Sequence, residues 1–317
     1  MKILVIRFSS IGDVILTSPI VRSLKKQIKA EIHFLIKKDY QSLVRNNPHI
    51  DKIFTLDDKV TKALRKEKYD LILDLQKSLK SKKIILSLGI KYLTFNKLNI
   101  QKWLKVNTSI DLLPETHLVD RYYDSISSLK VVNDGDGLDL YIDQESEDKG
   151  DQISQPLKDY GCLCLGATYY TKRIPIEKCH EIIQLSPLPL LTLGGKDTIE
   201  IANQLNTSFP SKIINMCGKT DIQVSARLIQ NAQYIISGDT GMMHIAAAYQ
   251  KKLYSLWGNT IPKFGMYPYY GSNNKDKNTI LEVVGLKCRP CSKLGFENCP
   301  KSHFNCMKQI DVSHIRF

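Results

Sequence analysis

The sequence predicts an α/β protein built from two Rossmann-like, doubly wound parallel-sheet domains. Three observations carry this. Short β-branched or leucine-rich runs alternate with segments of helical periodicity, and strands interleaved with helices pair in parallel. The alternation pauses once, in the polar and acidic "YIDQESEDKGDQISQPLKDYG", and then restarts. That stretch reads as a linker between a domain of residues 1–153 and one of residues 154–317. A chain of 317 residues, 43% hydrophobic and 24% charged, also suits two cores of ordinary size.

In order, "KILVIRF" is the first strand and "IVRSLKKQI" a helix. "EIHFLIK" is a strand, "DYQSLVRNN" helical, "KIFTL" a strand and "VTKALRKEK" helical. "YDLILDLQ" and "KYLTFN" close the first set of strands. After the linker come strand "GCLCLGAT", helix "IEKCHEIIQL", strand "LPLLTLGG", helix "TIEIANQLN" and strand "KIINMCG". "TDIQVSARLIQNA" is a helix whose Thr220 and Gln223 have capping-box spacing. Strand "YIISGD", helix "TGMMHIAAAYQ" and strand "KLYSLWG" complete the series.

No apolar run approaches the ~20 residues that cross a bilayer. The N-terminus lacks the layout of a signal peptide, so a cytoplasmic location is expected. The net charge is +13, with much of the excess in "DDKVTKALRKEKYD" and "QKSLKSKKIILSLGIKYL". Nucleic acid, an anionic membrane surface and a phosphorylated substrate all suit such a charge, as does a merely solvated lysine-rich face. No aromatic RNA-binding motif or zinc-finger spacing accompanies it. Of eight cysteines, Cys162, Cys164, Cys179 and Cys217 read as buried fillers. Cys288, Cys291, Cys299 and Cys306 sit with His303 in "CRPCSKLGFENCPKSHFNCM". The first pair has metal-ligand spacing, but the second does not repeat it, and no metal site is assigned.

Ligands on doubly wound sheets bind beyond the carboxyl ends of the strands, so the residues there are the candidates. "SSIGD" follows the first strand. Gly12 permits close backbone approach, Ser9 and Ser10 offer hydroxyls, and Asp13 lies near a helix start. A helix cap worth ~1 kcal/mol accounts for the carboxylate alone, not for its neighbours. Pro19 is tolerated if a helix begins near Ser18 and kinks one that begins at Gly12. In "YIISGDTGMMHIAAAYQ", Asp239, Thr240 and Gly241 join a strand to a helix, the geometry of an anion site. His244 falls one turn in, where a core histidine is the plainer reading. In "GATYYTKRIP", Thr168 follows a strand, and Lys172 offers a point charge for phosphate. No glycine cluster has GxGxxG spacing, which argues against a nicotinamide enzyme.

These segments occur in the order seen in the lipopolysaccharide heptosyltransferases of glycosyltransferase family 9, and the chain resembles that family over essentially its whole length. The most specific parts are the SSxGD opening and the DTGxxH segment. The resemblance implies GT-B architecture and transfer of heptose from ADP-heptose, with inversion, to the lipopolysaccharide inner core. It implies that Asp13 is the catalytic base and that Ser9, Ser10 and Gly12 form the turn near the reacting groups and diphosphate. It places Lys172 on the donor, Asp239 on the donor sugar, and Thr240, Gly241 and His244 beside the diphosphate. Two positions depart from the family: Ile174 stands in place of the loop's tryptophan, and Gln223 where an acidic residue is common.

The mechanism so implied needs no cofactor. The acceptor hydroxyl gives its proton to Asp13, while Lys172 and the helix amides stabilise the leaving diphosphate. No Asp-x-Asp clamp lies at a strand end, so a metal-free reaction is expected. The partners are then a nucleotide-sugar donor and an anionic glycolipid acceptor at the inner face of the cytoplasmic membrane, with no nucleic acid. Lys80, Lys82, Lys83 and Arg121 are the acceptor-side candidates. A sugar-nucleotide epimerase of the same fold, or a non-catalytic nucleic-acid-binding protein, are the competing readings.

Overall fold

A computed structural model describes the chain except for residues 273 and 274. It divides into two compact units. The first comprises Met1–Lys97, Thr116–Ile142 and a few residues from Gly271; the second comprises Leu98–Glu115, Asp143–Tyr270 and the C-terminal stretch to Phe317.

In the first unit the chain runs β1 (Lys2–Ile6), α1 (Ile11–Ile15), α2 (Ser18–Ile28), β2 (Glu31–Ile36), β3 (Lys52–Thr55), α3 (Val60–Arg65), β4 (Leu71–Asp74), α4 (Leu79–Leu88) and β5 (Tyr92–Thr94). All pairings are parallel and the order is β3-β2-β1-β4-β5. The order reverses between β1 and β4. The inner strands β1, β2 and β4 are largely buried apolar runs, as a sheet covered on both faces requires, while the edge strands β3 and β5 are half-buried. Leu4, Ile6, Leu35, Val60, Leu64, Ile72, Ile84 and Ile85 form one core. Pro19 falls in the first turn of α2, so two helices replace a single kinked one. The expected helix over 39–47 is only a 3-10 segment, Lys38–Leu43. Pro48 bars helix from the residue before it, and Asn47 Oδ1 accepts from His49 N at 2.9 Å to make a turn instead.

The second unit takes α5 (Asn99–Thr108), after which the chain returns to the first unit for α6 (Leu118–Ser125). It continues with α7 (Gln144–Ser154), β6 (Gly161–Cys164), α8 (Ile176–Leu185), β7 (Leu190–Leu193), α9 (Ile199–Ser208), β8 (Ile213–Asn215), α10 (Ile222–Asn231), β9 (Tyr234–Gly238), α11 (Gly241–Ala248), β10 (Lys252–Trp257), β11 (Asn278–Glu282) and α12 (Asn305–Lys308). Its parallel sheet has the order β11-β10-β9-β6-β7-β8, reversing between β6 and β9.

The acidic stretch expected as a linker is largely α7, so an expected boundary at 153/154 falls inside a helix. Asp143 caps α7 by accepting from Ser146 N at 2.9 Å. Asp151 then takes both Arg227 Nε and Nη2 at 2.8 Å, tying α7 to α10. The acidic residues that mimic a solvated tether are what hold this helix down. At α10 the capping box expected from Thr220 and Gln223 is absent. Asp221 caps instead, accepting from Val224 N at 2.9 Å. Thr220 pairs with Ser225 Oγ at 2.8 Å, and Gln223 Oε1 accepts from Asp143 N.

Candidate functional site

In the first unit the chain leaves β1 at the point where strand order reverses. Arg7, the residue after β1, is buried at 7% exposure. Each of its guanidinium nitrogens has a partner: Nε donates to Ser9 O at 2.9 Å, Nη1 to Leu75 O at 2.5 Å, and Nη2 meets Asp13 Oδ1 at 2.5 Å. Leu75 follows β4, so Arg7 ties together the loops after both strands that flank the reversal. Burial opposes the Arg7 charge, but the adjacent Asp13 outweighs it and raises the guanidinium pKa. On its other oxygen Asp13 accepts from Ser10 Oγ at 2.8 Å and Ser10 N at 3.3 Å. Ser9, Ser10, Gly12 and Asp13 therefore form one built cluster, with the carboxylate aimed by two groups and one-fifth exposed. Nearby Lys97 has its pKa lowered, first by burial and then by Arg7.

In the second unit the loops after β6 and β9 again flank the reversal, and an ion pair joins them. Lys172 Nζ lies 2.6 Å from Asp239 Oδ2. Thr260, from the loop after β10, donates to the same oxygen at 2.7 Å. Lys172 can reach because two glycines lie beneath its loop. A Cβ on Gly238 would sit 2.3 Å from Lys172 O, and one on Gly258 2.8 Å from Thr171 O. Thr240 precedes α11 without capping it through its side chain, which is 3.2 Å from Ser237 Oγ instead. The first-turn amides of α11, starting at Gly241, are thus left without a side-chain cap beside Asp239, as an anion site asks. Thr168 is exposed beyond β6, and His244 is buried within α11.

Sequence reasoning missed three residues. Arg7 has a signal, a lone charge at the end of a buried strand. Thr260 lies two residues past the strand "KLYSLWG", where strand-end candidates are expected. Arg289 had none: it donates to Gly258 O at 2.6 Å, to Thr260 O at 2.8 Å and to Glu282 Oε2 at 2.5 Å. With Cys291 N donating to Asn259 O at 3.2 Å, it braces the loop that carries Thr260. This gives the "CRPC" segment a structural task. Cys288 Sγ and His303 Nε2 are 3.8 Å apart, and Cys306 is buried. No group of three or more His, Cys, Asp or Glu among the described residues is placed to hold a metal.

The acceptor-side candidates separate. Lys80, Lys82 and Lys83 are exposed on α4. Arg121 is not on that surface: it is 4% exposed on α6 and donates to Asn96 O at 3.2 Å. Of the two departures, Ile174 is packed in the core of the second unit, and Gln223 is buried against the start of α7.

Two doubly wound parallel units, each with polar side chains gathered where its strand order reverses, define a two-domain α/β protein of the Rossmann-like kind. The chain belongs to glycosyltransferase family 9 (heptosyltransferase), whose family model matches residues 58–296. It is 28% identical to lipooligosaccharide heptosyltransferase 2 of Campylobacter jejuni over 47% of this chain, an alignment that spans only 43% of that relative. It is 24% identical to lipopolysaccharide heptosyltransferase 1 of Campylobacter coli, over 90% of this chain and 89% of that one. Its fold matches E. coli ADP-heptose lps heptosyltransferase II with a TM-score of 0.70 at 20% identity, covering 98% of both chains. The fold is thus that of the GT-B heptosyltransferases.

Proposed function

We propose that this chain is an inverting glycosyltransferase that moves a heptose, or a related sugar, from an ADP-sugar to the lipopolysaccharide inner core. Asp13 takes the proton of the attacking acceptor hydroxyl. The new bond to the anomeric carbon forms as its bond to the diphosphate oxygen breaks on the opposite face, and the nucleoside diphosphate leaves. Lys172 and the backbone amides of Thr240, just before α11, and Gly241, its first residue, meet the charge that develops on the diphosphate. Asp239, steadied by Thr260, holds the sugar, with Thr168 and His244 on the donor side. Ser9, Ser10 and Gly12 shape the turn that presents Asp13. On this reading the protein works in the cytoplasm as a peripheral protein of the inner membrane, where its anionic glycolipid acceptor lies.

The observation that carries the proposal is the Lys172–Asp239–Thr260 cluster across the strand-order reversal of the second unit, in a chain of this family. It brings together a cation, a carboxylate suited to a sugar hydroxyl and a helix start with no side-chain cap. The test is a thermal-shift panel of ADP-, UDP- and GDP-sugars followed by transfer to lipopolysaccharide acceptor. The reading expects the ADP-sugars to stabilise most and turnover to require acceptor. Turnover of donor alone into an isomer makes the protein an epimerase instead.

A further inference from the structure

The outer face of α4 is built unlike an ordinary solvated helix. Its inner face buries Ser81, Ile84 and Ile85, and Ser81 Oγ anchors it to Asp74 Oδ2 at 3.0 Å. Outward, Leu79 is 83% exposed and Leu86 69%, one heptad apart. Between them on the same stripe lie exposed Lys82 and Lys83, with exposed Lys80 alongside. Among the described residues none of these three lysines has an ion-pair partner. The neighbouring α3 adds exposed Lys62 and Arg65, and Arg65 Nη2 donates to Ser87 O at 3.0 Å. Residues 59–91 hold ten Lys or Arg against three Asp or Glu, more than half of the chain's net +13.

We infer that this face docks on an anionic lipid bilayer, with Leu79 and Leu86 entering the headgroup boundary and Lys80, Lys82 and Lys83 meeting lipid phosphates. The leucines decide between polyanions. A nucleic acid would use the lysines but leave two large aliphatic side chains uncovered, and α4 offers no aromatic ring for base stacking. A bilayer covers both. The inference deepens the proposed function, since it names the surface by which a transferase with a lipid-borne acceptor reaches it.

The test is co-sedimentation of the full chain with phosphatidylcholine vesicles, with and without phosphatidylglycerol, at low and high salt. Wild type is expected on the phosphatidylglycerol vesicles only and to be released by salt. Each surface lysine is worth roughly fivefold in partition, so Lys80→Ala/Lys82→Ala/Lys83→Ala loses about a hundredfold. Leu79→Ser/Leu86→Ser loses about tenfold at the same charge, with an unchanged circular-dichroism melt. Failure of wild type to bind, or wild-type binding by either variant, overturns the inference. So does loss confined to the lysine variant, which marks a purely electrostatic surface. An ADP melt run in parallel separates the two readings. Vesicle binding without stabilisation by ADP overturns the donor assignment and leaves this surface standing, and the reverse overturns this surface alone.

Discussion

Asp13 and Arg7 make the sharpest residue-scale predictions, because one guanidinium supports a carboxylate, a strand end and a neighbouring loop at once. Asp13→Asn keeps the shape and removes the carboxylate proposed as the base. Transfer is expected to fall by about 10²–10⁴-fold, measured as ADP released per enzyme, while the far-UV spectrum is retained. Arg7→Met is expected to damage the fold more. It removes the cation beside Asp13 and leaves Leu75 O without its donor, a loss of roughly 3–5 kcal/mol in a denaturant titration. An Arg7→Met protein as stable as wild type would show that the pair does not organise the site. Lys172→Met leaves Asp239 bonded to Thr260, so the loop survives and ADP affinity drops about tenfold or more by calorimetry.

At the scale of elements, two contacts set what the loops can do. Gly238 ends β9 under the Lys172 carbonyl, where an added methyl would sit 2.3 Å from oxygen. Gly238→Ala must push the Lys172 loop away, so it is expected to weaken ADP binding and cost about 1–3 kcal/mol of stability. Wild-type affinity in Gly238→Ala would mean that the loop position is unimportant. The second contact fastens α2 to the loop at 134–139: Arg22 Nε and Nη2 each donate to Asp134 at 2.7 Å, and Nη1 pairs with Asp139. Burial pushes the Asp134 carboxyl up, but the Arg22 hydrogen bonds outweigh it and hold it below the ordinary 3.8. A carboxyl depressed in the folded state stabilises above pH 3.8 and loses that contribution as pH falls through its folded value. Arg22→Lys breaks the fork. The variant is expected to be less stable near neutrality, with the difference shrinking in melts below about pH 4.

For the whole molecule the relevant quantities are net charge and ligand linkage. A chain of net +13, with its excess concentrated in residues 59–91, repels itself at low ionic strength. Moving from low to physiological salt should raise the melting temperature, and a fall would mean that ion pairs outweigh the repulsion. ADP at about a hundred times its dissociation constant adds about 2.7 kcal/mol to the state that binds it. For a unit the size of the second, that is a shift of about 5–10 °C.

The sequence by itself determined the fold class, most strands, and the separate residue groups that end β1, β6 and β9. These are local facts: period, turn chemistry and strand-end glycines are written in neighbouring residues. It misjudged α7, because an acidic helix held by distant Arg227 has the composition of a tether. It passed over Arg7, Thr260 and Arg289 because their roles depend on partners outside their own segments, such as Leu75 68 residues away. Only tertiary structure decided that β1 lies beside β4 and β6 beside β9, and hence which loops meet. Strand order is a long-range property, and it turns a lysine and an aspartate from two separate loops into one charged pair.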